Sequence, residues 1–181
     1  MKIYWNQNKP FLLFLGKFFI SYLLMTFIYQ SYLNQFNTNK FEVDGITQLV
    51  AEQSKDMLLF FNKNASIAPH PTQACVKFYY NQKYISRIVE GCNAISVIVL
   101  FISFIIAFTG KWKPTLLFIF LGGLSIYVLN IGRIALLSGL FYNFPKYETF
   151  LHDVVLPLII YGFVFLLWLL WVYKFSIYAK K

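Results

Sequence analysis

Acidic residues are scarce in this chain, seven in 181, and charge of either sign makes up only 13% of it. A soluble domain carries about 25% charged residues, so the surface of an ordinary soluble protein is excluded. There are two cysteines, Cys75 and Cys92, and two histidines. That is too few for a disulfide framework, and no Cys spacing of the metal-binding kind is present; no metal or cofactor is expected. Low-complexity tracts and internal repeats are also missing. The first apolar stretch follows Lys2 and Lys9 but ends in Tyr32-Leu33-Asn34-Gln35 without a small-residue cleavage site. It is therefore read as a retained anchor rather than a signal peptide.

Apolar residues fill the space instead, at 59% of the chain with a mean hydropathy of +0.59. Four stretches, about 11–33, 92–110, 115–142 and 154–173, approach or exceed the roughly 20 residues that cross a bilayer core. The expected fold is an all-α integral membrane protein, a four-span helical bundle forming one membrane domain over 1–181. Both termini are then cytoplasmic. A small extracytoplasmic cap of helix and hairpin comes from residues 34–90.

The net charge of +9 does not point to nucleic acid, because of where it lies. Lys2, Lys9, Lys17, Lys111, Lys113, Lys174, Lys180 and Lys181 fall on the inner side with no acidic residue among them. The outer segments hold the other eight basic residues and all seven acids. This is the positive-inside asymmetry of a multi-pass membrane protein. Trp5, Trp112, Trp168 and Trp171 fall near the inner interface, where such rings favour the headgroup level.

In the outer segment, Ile46, Leu49, Val50, Gln53, Met57 and Phe60 share one helical stripe, predicting an amphipathic helix along the outer interface. Asn62–Ser66 and Pro69-His70-Pro71 interrupt it. From Cys75 the period becomes two, and a short hairpin is expected around Asn81-Gln82-Lys83. Its second arm delivers Cys92 to the membrane edge. Gly122-Gly123 in the third span permits close helix approach.

Three reactive side chains then fall at one depth. Cys92 opens the second span in Glu90-Gly91-Cys92-Asn93, Arg133 lies near the end of the third in Asn130-Ile131-Gly132-Arg133, and His152 opens the fourth. Each has an ordinary alternative. Arg133 fits a snorkelling anchor and His152 an interfacial imidazole. Cys92 fits a buried small hydrophobe, a lipidated thiol, or a partner of Cys75 in a disulfide. Each alternative explains one residue, and none explains the gathering of three. A thiol becomes nucleophilic beside a cation or an imidazolium, an imidazole moves a proton to a leaving amine, and a fixed cation stabilises an oxyanion. Asn93 and Asn130 are candidates to hold the guanidinium or the substrate amide. Asp153, next to His152, is not expected to share its helical face, and Glu90 is a weak candidate to orient a base.

The order of an outer-edge Cys, an Arg in Asn-x-x-Arg near the end of the next span and a His opening the following one resembles the exosortase/archaeosortase family. The short form with Glu-Gly-Cys-Asn and Ile-Gly-Arg-Ile is similar to its small exosortases, over roughly residues 77–158. The resemblance implies a membrane cysteine protease/transpeptidase that cleaves C-terminal sorting signals of exported proteins. Cys92, Arg133 and His152 match the family's catalytic positions. The implied partners are the bilayer, exported proteins with a C-terminal sorting helix, and an acyl acceptor whose identity is not readable. The competing expectation is a non-catalytic membrane assembly partner of an envelope or secretion complex. A transporter fits less well, because no ionisable residue lies at mid-span.

Overall fold

The computed structural model describes residues 2–37, 40–108 and 110–175, with side chains from residue 9 onward. Lys180 and Lys181, counted above on the inner side, lie outside the described residues. The chain runs α1 (Lys2–Leu33), α2 (Gly45–Phe60), β1 (Ala65–Pro69), β2 (Val76–Tyr80), β3 (Lys83–Ile88), a 3-10 turn (Glu90–Cys92), α3 (Ile95–Ala107) and α4 (Trp112–Asn143). A 3-10 turn (Pro145–Tyr147), α5 (Glu148–Phe150), a π-helical turn (Leu151–Val155) and α6 (Leu156–Lys174) complete it.

Three helical stretches are long and apolar enough to cross a membrane: Lys9–Leu33, Trp112–Asn143 and Pro145–Lys174. The stretch at 92–110 differs from expectation. Its helix has 13 residues, Ile95–Ala107, about 20 Å at 1.5 Å per residue against a core of about 30 Å. Cys92 stays in the 3-10 turn and Ala94 takes a left-handed φ of 65°, which delays the start of α3. The fourth stretch differs in the other direction. Its helical run starts at Pro145, so His152 sits inside it, in the π-helical turn, rather than at its opening.

α3 is the buried centre of the helical part. Val99, Phe101, Ser103, Ile105 and Ala107 are buried among α1, α4 and α6. A Cβ on Gly122 would clash with the Phe101 ring, so the missing side chain is what seats α3 on α4. Gly122→Val is expected to cost about 1–3 kcal/mol by overpacking this contact, read as a lower unfolding midpoint in detergent. At the other end of α3, Trp171 Nε1 donates to the Phe108 carbonyl at 3.1 Å, and Trp168 stacks on Phe104 with centroids 4.2 Å apart.

The segment between α1 and α3 contains more sheet than expected. β2 and β3 form the expected hairpin through Asn81 and Gln82, both at positive φ, as a two-residue type I′ loop requires. β1 adds a third antiparallel strand on the other side of β2, so the fold is mostly helical but not all-α. Ala65-Ser-Ile-Ala-Pro has almost no alternating pattern of its own; pairing with β2 makes it a strand, and Pro69 is tolerated there because β1 is an edge.

α2 forms where the amphipathic helix is expected and packs on the protein through a face largely separate from the stripe assigned to the outer interface. Thr47, Val50, Ala51, Ser54 and Leu58 are buried, whereas Leu49 and Phe60 are exposed. The buried face is built of small residues, which lets α2 lie against both the sheet and α4 over Phe78, Val76, Ile134 and Ala135. Asp44 caps the helix, accepting from the Ile46 and Thr47 amides at 3.1 and 2.9 Å.

Candidate active site

The turn carrying Cys92 is held from three sides. Its backbone N–H donates to the Val89 carbonyl at 2.8 Å. Its carbonyl accepts from Asn130 Nδ2 on α4, also at 2.8 Å. Next to it, Asn93 Oδ1 accepts the Ile95 amide at 3.0 Å, while Asn93 Nδ2 donates to Tyr29 Oη on α1 at 2.7 Å and to Thr47 Oγ1 on α2 at 3.2 Å. Both Asn side chains are buried. Their amides are engaged inside the fold through these bonds, and they fix where Cys92 stands. Ala94 follows at φ 65°, a conformation that costs a residue with a Cβ about 1–2 kcal/mol. The bonds of Asn93 hold the chain in it.

Cys92 and His152 line one cavity of about 530 Å³. One wall is β3 and the residues after it, including Ser86, Arg87 and Val89; the other holds Phe141, Glu148 and Thr149 with His152 and Asp153. His152 Nδ1 lies 2.7 Å from Asp153 Oδ1, a pair the sequence reading set aside because neighbours on an α-helix face apart. The π-helical turn at Leu151–Val155 has a wider i→i+5 winding, which reduces the angle between successive side chains. With a proton on Nδ1 directed at the carboxylate, Nε2 is the ring's free basic nitrogen.

Arg133 is not part of the cavity wall. It lies within electrostatic reach of Cys92 and of Tyr161 on α6, and its Nε is buried without a hydrogen-bond partner among the described residues. A buried donor of this kind is costly unless something completes it. Tyr161 was not legible from sequence, since only the packing of α6 on α4 brings it there.

The remaining titratable candidates fall elsewhere. Both cysteines are free, and Cys75 is buried just before β2. Burial pushes its thiol up, with Arg87 and Lys77 pulling the other way, leaving Cys92 as the accessible thiol. Glu90 opens into a different cavity, shared with Glu42 and Asp44; burial, and then Asp44, raise its carboxyl above the usual range. It does not orient His152. His70 is a loop residue whose Nδ1 accepts the Thr72 amide at 3.2 Å. No protein-family model, no curated protein and no solved structure matches this chain.

Proposed function

We propose that the chain is an exosortase-like membrane cysteine protease/transpeptidase acting on C-terminal sorting signals of exported proteins. The observation that carries this reading is that Cys92 and His152 line one cavity, with the half-buried Arg133 in electrostatic reach of Cys92. The Cys92 thiol gives its proton to His152 Nε2 as Sγ attacks the scissile carbonyl, and the negative charge built there is stabilised by Arg133. The C–N bond then breaks, a thioester forms on Cys92, and His152 Nε2 delivers a proton to the leaving amine. An amine or hydroxyl acceptor next attacks the thioester carbonyl and passes its proton to Nε2, which hands it to the departing Cys92 sulfur as the C–S bond breaks.

The topology belongs to the same proposal. Four spans are completed by α3 with the non-helical turns at its two ends, because irregular backbone is tolerated at membrane depth where protein buries it. Both termini are then cytoplasmic in a bacterial inner membrane, with the cap and Cys92 on the periplasmic side. A substrate's apolar C-terminal helix and basic tail have the same inside-positive orientation as these spans, which brings its scissile bond to the outer edge.

Mass spectrometry of C-terminal peptides of envelope proteins tests this in cells carrying the native chain, Cys92→Ala, or a deletion. The variant and the deletion are both expected to retain apolar C-terminal tails that native cells remove. If Cys92→Ala processes like native while the deletion alone shows a defect, the thiol is dispensable and the assembly-partner reading replaces this one.

A further inference from the structure

The cavity beside Cys92 runs along a strand edge. β3 is the last strand of the sheet and pairs only with β2 among the described residues. Tyr84, Ile85, Ser86 and Arg87 all line the cavity, followed by Val89 and Cys92. Side chains of a strand alternate between its two faces, so a cavity against one face would meet every second residue. The β2–β3 irregularity at Phe78/Tyr79 accounts for one consecutive step at most. A run of four places the cavity against the backbone edge, where a strand offers unpaired amides and carbonyls.

We infer that the substrate's extended segment N-terminal to the scissile bond binds by adding as a fourth strand to the β3 edge, parallel to β3. This rests on reading Cys92 as the nucleophile. The direction follows from geometry. β3 runs toward Cys92, and the acyl part of the substrate must also end at Cys92, so the two chains point the same way. The length follows from the irregularity. The register is regular from Ser86 to Ile88, and Val89 is still extended, with φ −106° and ψ 168°. Beyond Ser86 the bulge bends the edge away. Main-chain recognition is therefore confined to about four substrate residues. Such recognition supplies affinity through backbone hydrogen bonds whatever the side chains, which suits an enzyme that serves many exported proteins.

The test uses the full-length native protein in detergent and N-acetyl oligoalanyl vinyl sulfones of one to six alanines, which carry no side-chain information. Alkylation of Cys92 is followed by mass spectrometry of its peptide. The rate is expected to rise over the first three or four alanines and then level off. Single backbone N-methylation should slow alkylation about three- to tenfold at every second residue and little in between, because each blocked position removes one hydrogen bond. Rates independent of length and of N-methylation, with Cys92 still alkylated, overturn edge addition and leave the nucleophile reading intact. Failure of even the shortest reagent and of iodoacetamide to alkylate Cys92 overturns both.

Discussion

Arg133→Met is expected to lower kcat on a tail-bearing substrate by a factor on the order of 10²–10³, the usual cost of losing one stabiliser of developing negative charge. KM should change little, since Arg133 stands off the cavity wall and its charge matters most once the attack has begun. The fold should be no less stable. Arg133 Nε is buried without a partner among the described residues, and an unsatisfied buried donor costs about 1–3 kcal/mol. Methionine keeps much of the length and removes that cost, so the unfolding midpoint should stay level or rise while turnover collapses. Arg133→Lys retains the charge and should recover part of kcat. Full recovery is not expected, because an ammonium on a flexible stem lacks the planar fork of the guanidinium. A purely structural Arg133 predicts the reverse: a less stable variant whose surviving fraction turns over at the native rate.

The long apolar helices and the hairpin were legible in the sequence because each depends on a local pattern. Continuous apolar runs define α4 and α6, and strict alternation around Asn81-Gln82 defines the β2–β3 turn. What was not legible depends on distant contacts. β1 is a strand only because β2 lies beside it. The face that α2 buries on the protein was not legible, because the large apolar residues form the separate stripe expected at the outer interface. The sheet and α4 instead require the small residues Ala51, Thr47 and Ser54, all fully buried, and leave Phe60 outside.

The candidate site divides in the same way. Residue types and membrane depth pick out Cys92, Arg133 and His152. Their relations depend on packing and on departures from regular helix, which local periodicity cannot report. The π-helical turn brings Asp153 to His152, and the left-handed Ala94 keeps Cys92 out of α3. Asn93 and Asn130 were singled out from sequence for their place beside the reactive residues. Their burial could not be read there, and with it the bonds by which they fix the backbone around Cys92.

Asn130 carries the second large effect. It lies one helical turn before Arg133 on α4 and donates to the Cys92 carbonyl at 2.8 Å, so one helix supplies both the clamp on the nucleophile's backbone and the charge beside it. Asn130→Ala should lower stability by about 1–3 kcal/mol, through the buried bond it breaks. It should also lower kcat by about 10²-fold with KM nearly unchanged, since a misplacement of about 1 Å at the reacting atom has that cost. Lost stability alone would reduce the amount of folded enzyme without changing its turnover. Asn130→Asp separates positioning from packing, because it preserves size. Protonated, its carboxyl donates to the Cys92 carbonyl as the amide does; ionised, it has no proton to give and opposes that oxygen. The expected profile, relative to native enzyme at each pH, is therefore near-native activity at the acidic end, falling as pH rises through the carboxyl's titration. A constant ratio to native across pH, or full activity of Asn130→Ala, would show that Cys92 keeps its place without this clamp.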